Sequence, residues 1–240
     1  MTKTSLRHAI VLAAGRGTRM GAITSEVPKP MLPVRGRPML EHVLEGLAEA
    51  GVEKFLVVVG YHREAIEEHF RNWRLPVEFR VQEPVDGTGS AARLGRDFAG
   101  GSPFLLTFGD ILCDPQAYTA CGRVLDECPA TVAVLGVKDV DDPWRGAAVY
   151  VEGGTVRKII EKPPIGTSTT RWNSAGLYAL RPIAFPYLDR LQPSSRNEYE
   201  LTSIFEMMLR DGLELRISAI EGAWRDVGRP EDLKALNGDS

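Results

Sequence analysis

The chain has 240 residues, 43% of them hydrophobic and 25% charged, with 29 lysines and arginines against 32 aspartates and glutamates and a net charge of -3. This is the composition of a globular protein, and the lack of a polybasic block or a long apolar run argues against nucleic acid and membrane as partners. The cysteines, Cys113, Cys121 and Cys128, form no CxxC pair, which indicates a reducing, cytoplasmic compartment.

The first 140 residues alternate apolar segments with amphipathic ones. Strands are predicted over residues 9–14, 55–59, 77–81, 104–108 and 131–137. Helices are predicted from Met39 to a stop at Gly51, from Ala65 to Trp73, after Gly89, and from Tyr118 to Leu125. This alternation predicts a three-layer, Rossmann-like α/β domain around a mixed, mainly parallel sheet.

The second part of the chain has a different pattern. Residues 146–162 predict a β-hairpin that turns at Gly153-Gly154 and is added to one side of the sheet. A strand over 175–180, a helix over 198–209, a strand over 213–220 and a short helix over 231–236 follow. With no repeat and no linker in view, we expect one domain over residues 1–240.

The loop after the first strand, from Gly15 to Arg19, combines glycines with positive charge. Glycines let phosphate oxygens approach backbone N–H groups, and Arg16, Arg19 and Lys29 would supply countercharge. GxGxxG is excluded because Met20 takes the place of its third glycine, and the Walker pattern is excluded because no GK[ST] follows. The alternative is an ordinary glycine-rich turn with solvated arginines; Arg19 and the lysine between two prolines favour a phosphate site.

The segments LAAGRGTRM and PKPMLPV closely resemble the N-terminal signature of the sugar-1-phosphate nucleotidylyltransferases, also called sugar-nucleotide pyrophosphorylases. These enzymes join a nucleoside triphosphate to a sugar 1-phosphate and release pyrophosphate. The resemblance implies catalytic roles for Arg19, Lys29 and Lys162. It also implies nucleotide contacts from the residues of the first loop: Leu12, Ala14, Gly15, Arg16, Gly17 and Thr18.

A second match is VQEPVDGTGSA, residues 81–91. In the uridylyl- and thymidylyl-type members, a glutamine and a glycine backbone at this spacing read the pyrimidine, which places Gln82, Gly87 and Thr88 at the base. A carboxamide offers the donor and the acceptor that this requires. Gly-Thr-Gly is more like the uridylyl and guanylyl members, so we expect UTP or dTTP first and GTP next. Taken alone, the segment is only a polar strand end and a turn.

Two aspartates match the magnesium ligands of the family. Asp110 follows an apolar strand, where a carboxylate suits Mg²⁺ together with substrate phosphates. Asp226, in WRDVGRPEDL, matches the second ligand, although its spacing from Asp110 would not by itself predict a metal site. Asp114 is expected to cap the helix that begins at Pro115.

The remaining matches concern the sugar phosphate. The resemblance places Gly146, Glu161 and Asn173 at the sugar and puts Lys162 and Arg196 near its phosphate. The alternatives are a solvated strand end for Glu161-Lys162 and a charge at a helix start for Arg196. Residues 1–140 are thus expected to bind mainly the nucleotide, and residues 141–240 mainly the sugar phosphate. No C-terminal β-helix domain with acetyltransferase activity is expected.

The prediction is a magnesium-dependent enzyme that transfers a nucleoside monophosphate from UTP, dTTP or GTP to a sugar 1-phosphate. Two other hypotheses stay open: a nucleotidyltransferase for a non-sugar phosphate such as phosphocholine, and a non-catalytic nucleotide-sugar sensor. The sequence does not distinguish a monomer from a homo-oligomer.

Overall fold

A computed structural model describes residues 3–238 of the chain. The strands are β1 (His8–Leu12), β2 (Pro33–Val34), β3 (Arg37–Pro38), β4 (Lys54–Val59), β5 (Val77–Val81), β6 (Phe104–Phe108), β7 (Ile111–Cys113), β8 (Thr131–Asp139), β9 (Ala147–Glu152), β10 (Thr155–Glu161), β11 (Trp172–Leu180), β12 (Glu214–Ala219) and β13 (Trp224–Asp226). The helices are α1 (Met39–Ala50), α2 (Arg63–Phe70), α3 (Thr88–Arg93), α4 (Arg96–Ala99), α5 (Pro115–Glu127), α6 (Ala184–Asp189), α7 (Ser203–Arg210) and α8 (Pro230–Asn237). Short 3₁₀ turns lie at Thr18–Thr24, Lys29–Met31 and Pro143–Arg145.

The described residues form one nine-stranded sheet in the order β5-β4-β1-β6-β11-β8-β12-β10-β9. Strands β5, β4, β1 and β6 are parallel to one another, as β8 is to β12. β11 runs antiparallel to β6 and β8, and β10 is antiparallel to β12 and β9. The prediction of a mainly parallel sheet is therefore wrong for the second half of the sheet, where β11 and β10 each run antiparallel to both of their neighbours.

Helices cover both faces of the sheet. Along β1 the side chains alternate, so Ala9 and Val11 pack with α1, α2 and α5, whereas Ile10 and Leu12 pack with α3, α4, α6 and α7. Both faces of β1 and β4 are buried, which explains why their sequences are apolar without alternation. The predicted α/β architecture is confirmed.

β9 and β10 form an antiparallel hairpin whose turn contains Gly153 and Gly154, both with positive φ. The neighbouring strand β11 changes register between Ser174 and Tyr178. Gly176 lies in this irregularity with φ +70°, and a Cβ there would come within 3.0 Å of the Phe108 ring. The bulge lets the first residues of β11 reach β9, while its last residues stay beside β6.

One predicted helix and one predicted helix cap differ from the structure. The helix expected over 198–209 begins only at Ser203. The amides of Tyr199 and Leu201 donate instead to the Asp86 carbonyl oxygen at 2.9 Å and to Thr88 Oγ1 at 3.0 Å, so this segment is held by a distant turn. Asp114 precedes α5 as predicted, but its side chain makes no cap hydrogen bond.

A third apolar cluster lies outside the sheet and joins residues 20–39 to residues 227–236. It contains Met20, Leu32, Val34, Met39 and Val227, with side chains of α8 against it. Through this cluster, α8 fixes the 3₁₀ segments that follow β1. Within residues 3–238, none of the helices combines the length and the apolar character that crossing a membrane requires.

Replacing Leu106, which is 0% exposed on the central strand β6, by alanine tests the sheet core. We expect the free energy of unfolding to fall by ~2–5 kcal/mol because a cavity forms between the sheet and the helices α3, α6 and α7 that cover this face. Ile165→Ala is the control, since Ile165 is 71% exposed and its loss should change stability by less than ~0.5 kcal/mol. Urea unfolding measures both, and equal losses would contradict this description of the core.

Candidate active site

The strand ends bring the predicted site residues to one edge of the sheet. β1, β4 and β6 are parallel, so the loops that follow Leu12, Val59 and Phe108 leave from the same edge. β11 is antiparallel to β6 and begins at this edge, and β10 ends there beside the first residue of β9. Ligands of open α/β sheets bind beyond the carboxyl ends of such parallel strands.

The loop after β1 packs against Lys29. Gly17 has φ +64°, and a Cβ at this position would lie 2.9 Å from the Cβ of Lys29. Thr24 Oγ1 donates to the Gly17 carbonyl oxygen at 3.1 Å and holds the turn. Gly17 is therefore required by backbone conformation and by the approach of the lysine, whereas a Cβ at Gly15 would meet no atom within 4 Å.

The two ends of this loop differ in exposure. Leu12 and Ala14 are buried at the end of the strand, and the following loop residues are exposed to differing degrees: Gly15, Arg16, Gly17, Thr18 and Arg19. The Arg16 guanidinium lies 5.9 Å from the ring centroid of Tyr61. The loop thus presents two arginines toward the edge of the sheet.

Lys29, Asp110 and Asp226 form the charged centre of this edge. Lys29 is 8% exposed, and its ammonium group makes an ion pair with the Asp110 carboxylate. β13 pairs with β7, which places Asp226 opposite Ile111, and the Val227 amide donates to the Asp110 carbonyl oxygen at 3.1 Å. The two aspartates, 116 positions apart in the chain, are therefore brought together by backbone pairing.

The electrostatics of Asp226 show how close these charges lie. Although Asp226 keeps exposed surface, the surrounding protein removes water from its carboxylate and raises its pKa. The negative charge of Asp110 raises that pKa further, and Lys29 and Arg19 oppose the effect. Asp110 and Asp226 thus lie in one electrostatic cluster with Lys29 and Arg19.

The donor set of this cluster fits a hard divalent cation. Two carboxylates whose charges repel each other, one of them with a raised pKa, are stabilised by such an ion. Mg²⁺ binds proteins through one or two carboxylates and completes its shell with water and phosphate oxygens. Among residues 3–238, no group of three or more His, Cys, Asp and Glu side chains is arranged to hold a metal. The pair therefore suits an ion shared with a phosphate ligand.

Three residues whose role here the sequence did not predict hold the segment that carries Asp226. Lys138 Nζ donates to the carbonyl oxygens of Ile220 at 3.0 Å and Gly222 at 3.1 Å. Asp114 Oδ2 accepts from the Ala223 amide at 2.7 Å, and Trp224 Nε1 donates to the Ala175 carbonyl oxygen at 2.9 Å. Residues 220–226 are thus fixed to β8, β11 and the start of α5. A lysine at a strand end gives no sequence signal of such a role.

A second cluster lies between β5 and α3. The Gln82 side chain is 5% exposed and donates to the Gly87 carbonyl oxygen at 2.8 Å. Gly87 has φ +135°, and a Cβ there would lie 2.4 Å from the Tyr199 carbonyl oxygen. Thr88 Oγ1 accepts from the Leu201 amide. The predicted base-reading turn is thus clamped by residues 199–201.

The hairpin end forms a third cluster. The Lys162 amide donates to the Gly146 carbonyl oxygen at 2.7 Å, and Lys162 has φ +43°. A Cβ on Gly146 would lie 2.3 Å from Asn173 Oδ1, so a side chain here would displace the Asn173 amide group. Asn173 is 7% exposed, and its Nδ2 donates to the Ser174 carbonyl oxygen. Gly146, Lys162 and Asn173 therefore lie together at the end of the hairpin.

Glu161 and Arg196 meet in a group of carboxylates. Arg196 Nη2 lies 2.9 Å from Glu200 Oε1 and 3.7 Å from Glu161 Oε1. Thr202 Oγ1 donates to Glu161 Oε2 at 2.9 Å. Burial raises the pKa of Glu161 to about 6, with Thr202 and Arg196 opposing the rise and Glu200 adding to it. The predicted phosphate-binding arginine thus pairs here with acidic side chains.

The chain is similar to known proteins in sequence and in fold. A family model described as nucleotidyl transferase matches residues 8–239. The bifunctional protein GlmU of Methanococcus maripaludis is 34% identical over 232 residues, with 95% of this chain and 53% of that protein covered. The UTP–glucose-1-phosphate uridylyltransferase AglF of Haloferax volcanii is 32% identical over 229 residues, with 94% of this chain and 93% of that protein covered. The chain spans about half the length of the GlmU relatives.

The fold also has a match among solved structures. A solved structure of UDP-glucose pyrophosphorylase complexed with UDP-glucose superposes with a TM-score of 0.89 at 22% identity, and the match covers 97% of each chain. The fold defines an α/β protein with a mixed central sheet. The chain belongs to the nucleotidyl transferase family. The resemblance to sugar-1-phosphate nucleotidylyltransferases is confirmed, and the AglF relative is described as an enzyme of that class.

Replacing Glu161 by glutamine tests the local electrostatics. The pKa of Glu161 is about 6 in the folded chain against an ordinary 4.5. Between these pH values the folded state binds more protons than the unfolded state, so the free energy of unfolding decreases as pH rises. We expect Glu161→Gln to be ~2 kcal/mol more stable than the parent at pH 7.5, and nearly equal to it at pH 4. Urea unfolding at both pH values measures this.

Glu127→Gln is the matched control, because the Glu127 side chain is 66% exposed. Its difference from the parent should stay within ~0.5 kcal/mol at both pH values. A Glu161→Gln variant that is no more stable than the parent at pH 7.5 would contradict the burial argument.

Proposed function

We propose that this chain transfers a nucleoside monophosphate from a nucleoside triphosphate to a sugar 1-phosphate and releases pyrophosphate. The observation that carries the proposal is the cluster of Lys29, Asp110, Asp226 and Arg19 at the carboxyl edge of the sheet. The Gly146–Lys162–Asn173 cluster lies at the same edge, beyond β11. One cluster suits a triphosphate and the other a second phosphorylated molecule.

The reaction would be an in-line displacement at the α-phosphorus. A phosphate oxygen of the sugar 1-phosphate is already an anion at neutral pH, so the attack needs no general base. The work of the protein is then to position two anions and to stabilise charge. Lys29 would hold the α-phosphate, Lys162 the sugar phosphate, and Arg19 with the loop amides the departing pyrophosphate.

Asp110 and Asp226 are proposed to hold Mg²⁺. Bound there, the ion would reduce the repulsion between the two phosphorylated substrates. The Lys29 ion pair with Asp110 links the basic and acidic parts of this centre, so the orientation of the lysine depends on the aspartate. Arg196 would exchange its present carboxylate partners for the sugar phosphate.

For the nucleotide, UTP or dTTP is proposed first and GTP next. The Gln82–Gly87 turn supports a pyrimidine, and the AglF relative is described as acting on UTP and glucose 1-phosphate. A glucose-type sugar is the corresponding proposal for the acceptor. The division into a nucleotide half over 1–140 and a sugar half over 141–240 follows the position of these clusters, and a cytoplasmic location stays a prediction.

The two other hypotheses receive less support. A sensor without catalysis would not require the paired carboxylates beside Lys29, whose repulsion lowers stability unless a cation binds. An acceptor such as phosphocholine calls for an aromatic cage. The residues that meet around Asn173 are instead polar or glycine, which suits hydroxyl groups.

Pyrophosphate release from the purified chain tests the proposal. The assay crosses UTP, dTTP, GTP, CTP and ATP with hexose 1-phosphates and phosphocholine, in Mg²⁺ or in EDTA. We expect release with a sugar phosphate in Mg²⁺ alone, and a loss of at least about hundredfold in Asp110→Ala because the charge centre is removed. Asp97→Ala, at an exposed position of α4, is the control and should keep full activity.

Release with phosphocholine alone would favour the non-sugar hypothesis. Tight nucleotide binding without release, in every combination, would favour the sensor. Full activity of Asp110→Ala would contradict the proposed metal centre.

Replacing Lys138 by methionine tests how Asp226 is positioned. Two carbonyl oxygens lose their donor, and the segment that carries Asp226 loosens. We expect about a tenfold rise in the Mg²⁺ concentration for half-maximal activity, with a smaller change in KM for the triphosphate. Lys158→Met, an exposed lysine beside Tyr150, is the control. An equal rise in both constants would indicate general unfolding instead.

A further inference from the structure

The buried amide of Gln82 has an orientation that the surrounding acceptors determine. Its Nε2 atom lies 2.8 Å from the Gly87 carbonyl oxygen, 2.8 Å from Ser90 Oγ and 3.3 Å from Asp86 Oδ1. The carbonyl and the carboxylate can only accept hydrogen bonds. Turning the amide by half a turn would place Oε1 against both with no proton between them. The NH₂ group therefore faces these acceptors.

Ser90 completes the arrangement. Its hydroxyl donates to the Asp86 carboxylate or to the Gly87 carbonyl oxygen at 2.9 Å, which leaves an oxygen lone pair for the Gln82 NH₂ group. Ser90 is 8% exposed. An amide that is buried with its donors satisfied in this way does not rotate at low cost, because rotation leaves several polar groups unpaired.

The three acceptors are themselves fixed. The Tyr199 amide donates to the Asp86 carbonyl oxygen at 2.9 Å, and the Gly89 amide donates to the Tyr199 carbonyl oxygen at 2.7 Å. The backbone N–H of Gln82 donates to the Val59 carbonyl oxygen at 2.8 Å. Both the glutamine and the turn that faces it are thus held by the backbone of neighbouring elements.

We infer that Asp86 and Ser90 are positioning residues that lock the Gln82 amide with its oxygen toward the nucleobase. The inference rests on the proposed function, in which Gln82 faces the base. A locked amide oxygen accepts from a ring N–H, which uracil, thymine and guanine carry at their pairing edge. Cytosine and adenine present a ring nitrogen lone pair there, which the oxygen repels. The site therefore selects bases with a ring N–H donor.

UTP and CTP form the matched pair of probes, because their bases differ only in the N3 and C4 groups that this amide would face. Equilibrium binding of each nucleotide is measured by calorimetry in Mg²⁺, without an acceptor. We expect the parent to bind UTP more tightly than CTP. The double variant Asp86→Ala/Ser90→Ala removes two of the three acceptors and leaves the Gly87 carbonyl oxygen. Turning the amide to present its NH₂ group then costs less, so the ratio of the CTP to the UTP dissociation constant should fall about tenfold.

Two further variants complete the experiment. Ser5→Ala removes another Ser–Asp hydrogen bond, between Ser5 Oγ and Asp126 Oδ1 at 2.6 Å, on an exposed surface far along the chain, and should leave the ratio unchanged. Ser90→Ala alone should lower the ratio in the same direction and serves if the double variant does not fold. Far-UV circular dichroism monitors folding.

Equal weakening of UTP and CTP in the variants, or a parent that binds both equally, would overturn the inference. These measurements do not depend on catalysis. If pyrophosphate release fails with every acceptor while the binding ratio changes as expected, the proposed function is wrong and the orientation of Gln82 is correct. If pyrophosphate is released but the variants leave the binding ratio unchanged, the proposed function is correct and the inferred orientation of Gln82 is wrong.

Discussion

The arrangement of the edge depends on one electrostatic constraint: two carboxylates share a partly desolvated centre with one buried lysine. Lys29 forms an ion pair with Asp110, and the charge of Asp110 raises the pKa of Asp226. Like charges this close are unfavourable unless cations balance them. The arginines of the loop after β1 supply part of the positive charge that balances the two carboxylates. A divalent cation bound together with a phosphate ligand would supply more. Much of the surrounding structure serves to keep these groups in place.

Several neighbouring elements support this centre. The 3₁₀ turn at Lys29–Met31 packs under Gly17, and β13 pairs with β7 to bring Asp226 beside Asp110. Lys138 and Asp114 then hold the segment between β12 and β13 from two sides. Groups outside the direct contacts orient ligand-binding carboxylates in many sites. Here they connect the centre to β8, and through β8 to the strand that carries Asn173.

β11 connects the two proposed substrate regions. Its bulge at Gly176 allows the strand to pair with β6 at one end and with β9 at the other. Thr107 Oγ1 donates to the Gly176 carbonyl oxygen at 3.0 Å, which fixes the bulge next to the strand that leads to Asp110. A second connection runs from the Asp86–Thr88 turn to residues 199–201, and on to Thr202 and Glu161. The two proposed substrate regions are thus joined twice, within the sheet by β11 and outside it by residues 199–202.

The sequence by itself determined the α/β class, most strand and helix positions, and the glycine loop with Lys29. Those features depend on short-range patterns, namely apolar periodicity, turn glycines and strand ends. Only the tertiary structure decided that β11 reverses the sheet, that Arg196 pairs with carboxylates, that Lys138 and Asp114 hold the Asp226 segment, and which way the Gln82 amide points. The physical reason is that these contacts join residues far apart in the chain, whose proximity follows from strand order and from pairing of buried polar groups.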